Sequence, residues 1–328
     1  MNSGIILLNK RQGITSFDAL RDIKRELKTG KVGHTGTLDK FAQGLLIVLV
    51  GRALKLSQWF SGCDKKYEGR IHFGIETDTL DPEGKIIAES DLPTRQKVED
   101  VLNQFTGNIL QRPPLYSAIH VNGKRASNLA RAGQMPEMKE RPVIIYKIEL
   151  KSWKPPFADI FVHCSSGTYI RSLARDIAAA AGSRGHLCKL VRTQIAGFSL
   201  NSDECLVTSE ECGVISGECG ITSEECGITN GECKNGIGGV LRVVDKSVIG
   251  GLGMAWFEVL PEEVEYILHG KPLGYLLDNK TLIHSASSAF PRLCETLYIN
   301  QAAAVFEGDN LVAIVGKKDG KWKYECVI

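Results

Sequence analysis

The 328-residue sequence has ten cysteines but no Cys-x-x-Cys spacing, so a zinc ribbon is not expected. It has no Walker A lysine loop, no His-Glu-x-x-His and no Gly-x-Ser-x-Gly. Gly250-Gly251-Leu252-Gly253 lacks the strand–turn–helix context of a dinucleotide fingerprint. P-loop enzymes, kinases, zincins and α/β-hydrolases are therefore unsupported. Long apolar runs are missing too. Leu45–Val50, the longest such run near the N-terminus, falls far short of the roughly 20 residues that cross a bilayer. Ile5–Leu8, followed by Asn9-Lys10, is too short for a signal-peptide core. The expectation is a cytoplasmic protein with reduced thiols, no metal and no membrane association.

What is present is ordinary for a globular chain, with 43% apolar and 24% charged residues. The length suits two domains. The formal charge of +2 argues at first against a nucleic-acid binder, but it is unevenly spread. Residues 201–235 hold eight acids and one base, which leaves 39 basic and 30 acidic residues, a formal +9, on the remaining 293. The same tract repeats cysteine every seven residues, at Cys205, Cys212, Cys219, Cys226 and Cys233. Glycine follows three of these cysteines and each unit has only one or two apolar residues, which excludes a coiled coil. Alternating thiols and carboxylates leave a metal-binding tract open. The plainer expectation is a mobile low-complexity loop without function.

Elsewhere, strands and helices mix without a regular βαβ repeat. Residues 4–9 read as a strand. Thr15 and Asp18 offer a capping box to a helix carrying Ala19, Leu20, Ile23 and Leu27, with Gly30 as its stop. Its other face carries Arg21, Lys24, Arg25 and Lys28, as a solvated face or a phosphate-facing one. A glycine-bearing loop over 33–39 leads into a buried strand, Leu45–Val50. Tyr67, Gly69, Ile71 and Phe73 alternate with polar residues as a half-buried strand, and Ala158–Cys164 alternates likewise. Asp81-Pro82-Glu83-Gly84 reads as a turn, Thr94 caps a helix that ends near Gly107, and Asn122-Gly123 marks a hairpin. A helix starts near Ile170 and stops at Gly182. After Leu241 come a short helix over 262–270 and three strands, at 302–306, 311–315 and 322–327. The fold class is α+β, with a mixed, largely antiparallel sheet and a small β-rich C-terminal domain.

Candidate chemistry is sparse. Asp39 follows the glycine-bearing loop and precedes a buried strand. A carboxylate so placed is a nucleophile or general base, and taken alone it reads first as a turn or cap aspartate. His34 reads alone as a structural loop histidine, and as a substrate or phosphate contact beside Asp39. Tyr67 is either a core tyrosine or a platform for a base. Arg171 opens a helix, where a cation opposes the dipole, so a carboxylate partner is required. Basic pairs such as Lys65-Lys66 and Lys124-Arg125, interleaved with Tyr67, Tyr116 and Tyr169, suit RNA.

Taken together, Gly33-His34-Thr35-Gly36-Thr37-Leu38-Asp39 resembles the signature of the TruB family of bacterial tRNA pseudouridine synthases. Gly4–Lys10 with Gly13-Ile14-Thr15-Ser16 resembles the family's opening segment. Asp64-Lys65-Lys66-Tyr67 with Thr77-Asp78-Thr79 is similar to its second motif, and Pro113-Pro114-x-Tyr116-Ser117-Ala118 to a third. Gly167-Thr168-Tyr169-Ile170-Arg171-Ser172-Leu173 and Leu190-Val191-Arg192-Thr193 resemble the last two. The resemblance covers residues 4–200 and, more loosely, 241–328 as a PUA-type RNA-binding domain. Lys40 and Arg11 stand where prolines are common, and Val191 where arginine is.

The resemblance implies a pseudouridine synthase fold. Residues 1–200 and 236–255 would form the catalytic domain, 201–235 an insertion and 256–328 a PUA-like domain. The implied reaction converts the T-loop uridine, tRNA position 55, to pseudouridine, and it needs no cofactor. Asp39 is the implied catalytic carboxylate, with attack at C1′, attack elsewhere and removal of a ribose proton all open to it. Arg171 would pair with Asp39 and hold it ionised. Tyr67 would stack on the uracil, His34 would contact the extruded nucleotide, and Tyr169 and Leu190 would line the pocket. The partner is the tRNA T arm, with a monomer and no obligate protein partner expected. Two rival readings are a non-catalytic tRNA-remodelling protein and a guide-RNA-dependent synthase.

Overall fold

In a computed structural model of the chain, residues 3–121, 123–200, 205–207, 241–277, 280 and 302–328 are described. They divide into two compact units. The first comprises Met1–Lys40, Gly44–Cys63 and Gln194–Ile328, and the second Phe41–Gln43 and Asp64–Thr193. The expectations for the cysteine repeat beyond Val207 lie outside the described residues.

The first unit is built on Gly4–Lys10. This strand pairs antiparallel with Gln43–Val50, from Gly4↔Val50 to Lys10↔Gly44. On its other side lie Cys205–Val207, in parallel. Three residues of the repeat tract, 205–207, are thus part of a sheet. Ile6, Leu8, Leu46, Val48 and Val50 pack one sheet face against Ala19, Leu20 and Ile23. Period two on the strands meets period three to four on the helix, so both stripes are buried together. The helix is Arg21–Glu26, preceded by a short 3-10 turn at Asp18–Leu20. Thr15 and Asp18 cap it reciprocally, Thr15 N donating to Asp18 Oδ2 and Asp18 N to Thr15 Oγ1. The expected stop at Gly30 is corrected. The left-handed residue is Lys28, with φ 48°. Thr29 N reaches back to Lys24 O at 3.1 Å, so the terminal carbonyl is satisfied without a glycine. On the basic face, Arg21 and Arg25 each pair with an acid three residues earlier, Asp18 and Asp22.

Also in this unit, Ala255–Glu258, Ala302–Glu307, Asn310–Lys318 and Lys321–Val327 form a separate four-stranded sheet in that order. The outer pair at 255–258 and 302–307 is parallel and the rest antiparallel. Helix Pro261–Leu268 inserts Ile267 into its core with Phe257, Val305 and Val315. Asp319 and Gly320 make the last turn with positive φ angles of 54° and 75°.

In the second unit the strands run in the order Gly185–Ile195 (as far as Thr193), Lys65–Phe73, Phe157–Cys164, Arg141–Lys154 and Gly107–Gln111. Helices Arg95–Leu102 and Ile170–Ala180 bury Val98, Val101, Leu173, Ala174 and Ile177. Ser183 N and Gly182 N close the second helix onto Ala178 O and Ala179 O, as the glycine stop required. The strand Arg141–Lys154 has no clear signal in the sequence, because one of its faces is only partly buried and carries charge. There Glu149 accepts from Lys147 and Lys151, which hold its carboxyl down to about 2. Arg70 and Asp159 are register partners joined by two bonds of 2.6 and 3.1 Å.

None of Cys63, Cys164, Cys188 and Cys326 is in a disulfide. Burial pushes the Cys164 thiol up to about 12, so it stays protonated. Among the described residues, no helix is long and apolar enough to cross a membrane.

The His72 ring lies 4.7 Å from that of Phe157, tilted by 40°, and 5.2 Å from the His186 ring. Burial, and then the charge of His186, holds His72 below the ordinary imidazole range. Below about pH 6.5 the unfolded chain takes up a proton that the folded strand resists. This stability is present above that value and is lost as pH falls through the folded pKa. The urea midpoint should therefore decline between pH 7 and pH 5, and His72→Gln should flatten the decline. An unchanged slope in the variant would reject this origin.

Candidate functional site

Four of the six residues that the motifs single out lie in the second unit. Tyr67 is 7% exposed and occupies the inner face of its strand, opposite Val162. Leu190, 5% exposed, lies on the neighbouring strand. Tyr169 and Arg171 meet at the start of the Ile170–Ala180 helix. Tyr169 has no side-chain cap to offer. Gln111, 1% exposed, holds it by two bonds, accepting from Tyr169 N at 2.8 Å and donating to Tyr169 O at 3.1 Å. One side-chain amide thus fixes both main-chain groups of the residue before the helix.

Arg171 is 5% exposed, and Asp81 is a carboxylate partner within its own unit. Nη1 donates to Asp81 Oδ2 at 3.0 Å and to Thr79 O at 2.8 Å, and Nη2 to Tyr116 O at 3.0 Å. Asp81 is itself locked. Thr79 Oγ1 and Glu83 N donate to Oδ1 at 2.6 and 3.0 Å, and Thr77 Oγ1 donates to Asp81 O at 2.7 Å. A buried guanidinium is tolerated where such bonds replace its water. Leu80 is bent to φ 60° inside this loop, a strained angle for a branched side chain. Gly84 closes it, since a Cβ there would stand 2.2 Å from Thr79 Oγ1 and 2.5 Å from Asp78 Oδ1. Sequence pattern singles out neither Asp81 nor Gln111. The only signal for Asp81 is a turn, and nothing marks Gln111.

His34 and Asp39 lie in the first unit. Val32–His34 is a short strand on Gln43–Val50, so Gly33 belongs to a strand and not to the expected loop. A Cβ on Gly33 would meet Leu54 Cδ2 at 2.9 Å. Thr35 N donates to Ile47 O at 3.1 Å, and Ser61 Oγ to Thr35 O at 2.8 Å. Beyond these bonds, Gly36–Lys40 has no regular structure until Gly13 N meets Lys40 O at 2.8 Å. Asp39 is half-buried and Leu38 beside it is buried. Among the described residues, no cluster of three or more His, Cys, Asp or Glu could hold a metal ion.

Solved structures similar to this chain identify its fold. The crystal structure of a Cbf5-Nop10-Gar1 complex aligns with a TM-score of 0.67 at 22% identity, over 99% of this chain and 84% of that chain. The fold is the α+β fold of the pseudouridine synthases, with a separate β-rich C-terminal sheet. The model of the TruB family pseudouridylate synthase N-terminal domain matches residues 24–170, which include His34, Asp39, Tyr67 and Tyr169. A Borreliella burgdorferi protein called tRNA pseudouridine synthase B is 44% identical over 203 residues, 61% of this chain and 72% of that protein. A Francisella philomiragia protein of the same name is 45% identical over 203 residues, 61% and 67% of the two chains. The chain therefore belongs to the TruB family of pseudouridylate synthases, which are isomerases.

Removing one partner of the buried pair strands the other. Asp81→Ala should cost about 3–5 kcal/mol of unfolding free energy, and Asp81→Asn, which keeps an acceptor for Arg171, distinctly less. Denaturant titration of the two variants checks the order.

Proposed function

We propose that the protein converts the T-loop uridine of tRNA, at tRNA position 55, to pseudouridine. The observation that carries this reading is the 44% identity to a protein named tRNA pseudouridine synthase B, over most of that protein's length. The formal +9 outside the repeat tract supports an RNA partner, because lysines and arginines on phosphates release condensed counterions.

In this reading the target uridine leaves the T-loop stack, at a cost of about a few kcal/mol, which phosphate contacts offset. The bond from N1 to C1′ breaks, the uracil turns, and a bond forms from C5 to C1′. C5 loses a proton and N1 gains one, so atoms balance without a donor or a redox step. Asp39 is the catalytic carboxylate. It is held on a loop between two pinned segments, where a side chain can meet substrate while the main chain stays put. Arg171, fixed by Asp81, is the site's stationary cation. Tyr67 offers its ring to the uracil, and Tyr169 and Leu190 line the same pocket. His34 contacts the extruded nucleotide. The enzyme acts in the cytoplasm as a monomer on the tRNA T arm, without cofactor or obligate protein partner. Residues 1–200 and 236–255 form its catalytic domain and 256–328 a PUA-like RNA-binding domain, with 201–235 an insertion between them.

The test is release of tritium from C5-tritiated uridine in unmodified tRNA by the purified protein alone. Wild-type protein should release one equivalent per target uridine. Asp39→Asn should reduce the rate by about 10²–10⁴-fold. No release by wild-type protein at saturating tRNA would sink the stand-alone enzyme, and an undiminished Asp39→Asn would point to a non-catalytic role. In the same assay, a chain with residues 208–235 replaced by a short linker should turn over as the full chain does. A large loss with the fold intact would show that the tract has a function.

A further inference from the structure

Asp39 lies between two residues, Leu38 and Lys40, whose main-chain groups are bonded to one short segment, 13–16. On one side, Leu38 N donates to Ser16 Oγ at 2.8 Å, and Ser16 Oγ donates to Leu38 O at 3.1 Å. A single hydroxyl, using its proton and one lone pair, satisfies both polar groups of the residue before Asp39. Ser16 is 2% exposed and Leu38 is 4% exposed, so water does not compete for these bonds. On the other side, Gly13 N donates to Lys40 O at 2.8 Å. The segment that makes both contacts is itself rigid. Lys10, fully buried, donates from Nζ to Arg11 O at 2.9 Å and Ile14 O at 2.8 Å, closing the turn that carries Gly13. Thr15 is locked to Asp18 by its hydroxyl, which donates to Oδ2 at 2.6 Å.

We propose that Ser16 is a positioning residue for pseudouridine formation. Its hydroxyl fixes the peptide planes on either side of Leu38 and so the direction in which Asp39 leaves the main chain. This rests on the reading of Asp39 as the catalytic carboxylate. Ser16 touches neither substrate nor the carboxylate, and its effect passes through the loop. Two bonds made by one atom are lost together. The residue released is adjacent to Asp39, which a displacement of about 1 Å takes out of a productive geometry. If Ser16 served only to satisfy buried polar groups, its loss would lower stability and leave the chemical step alone.

Ser16→Ala should lower kcat for C5 tritium release about 10- to 100-fold while KM for tRNA stays within about twofold, because binding through phosphates does not depend on this loop. The comparator is Asp245→Ala, which removes the cap that Asp245 Oδ1 gives Val248 N at 2.9 Å. It should lose stability without losing kcat. If Ser16→Ala does not fold, Ser16→Cys is read in its place. Its sulfur makes longer, weaker bonds to Leu38 and should also depress kcat. The proposal is overturned if Asp39→Asn is inactive while the Ser16 variants turn over like wild type. It is equally overturned if their loss follows the unfolded fraction as in Asp245→Ala. An active Asp39→Asn instead overturns the reading of Asp39 beneath it.

Discussion

A guanidinium at the first turn of a helix opposes the helix dipole, and burying it removes the water that would otherwise stabilise its charge. Arg171 nevertheless sits there at 5% exposure. It does so because Asp81 meets it at 3.0 Å and two main-chain carbonyls take further donors. Much of the second unit's local structure serves this arrangement. The 77–84 loop folds on itself to hold Asp81, accepting the positive φ of Leu80 and requiring glycine at 84. Gln111 holds the residue before the helix so that Arg171 starts its first turn in register. A buried ion pair contributes little net stability by itself, but it admits few alternative arrangements once its bonds are complete. Such rigidity holds the guanidinium in one place.

The first unit solves a similar problem with main-chain bonds. The loop bearing Asp39 has no regular structure, so no ladder fixes it. Pins at Thr35, Leu38 and Lys40 do so instead, from the strand at 43–50, the helix at 57–61 and the segment at 13–16. A loop held this way has little main-chain freedom left to lose when a ligand binds beside it. Lys40 stands where the motif resemblance implies a proline. Its carbonyl carries the bond from Gly13, a role that proline would serve equally well.

The near-neutral total charge hides the body of the protein. Eight of 38 acids fall in a 35-residue tract, and the rest of the chain is distinctly basic. Net charge informs on partners only after it is mapped along the chain. Five of the ten cysteines lie in the same tract, so the impression of a cysteine-rich protein has the same origin.

Strongly periodic segments are legible in the amino-acid pattern alone. The strands at 4–10, 43–50, 65–73 and 157–164, the capped helix at 95–102 and the C-terminal strands follow from alternation, caps and turn residues. These are local signals. The strand at 141–154 is not legible in this way, because much of its length faces solvent with lysines and glutamate and only part of its apolar set is buried. The stop at Lys28 escapes for a similar reason, since nothing local announces a lysine at positive φ. At the site, motif order is enough to single out Asp39, His34, Tyr67, Tyr169, Arg171 and Leu190, and helix position says that Arg171 needs a carboxylate. Asp81, Gln111 and Ser16 emerge only from the folded chain. Each acts across 22 to 90 residues of sequence on another residue's main chain or charge. Residue type and spacing carry chemistry and local conformation. The partners that hold a reactive group in place depend on closure of long loops, which no local pattern encodes.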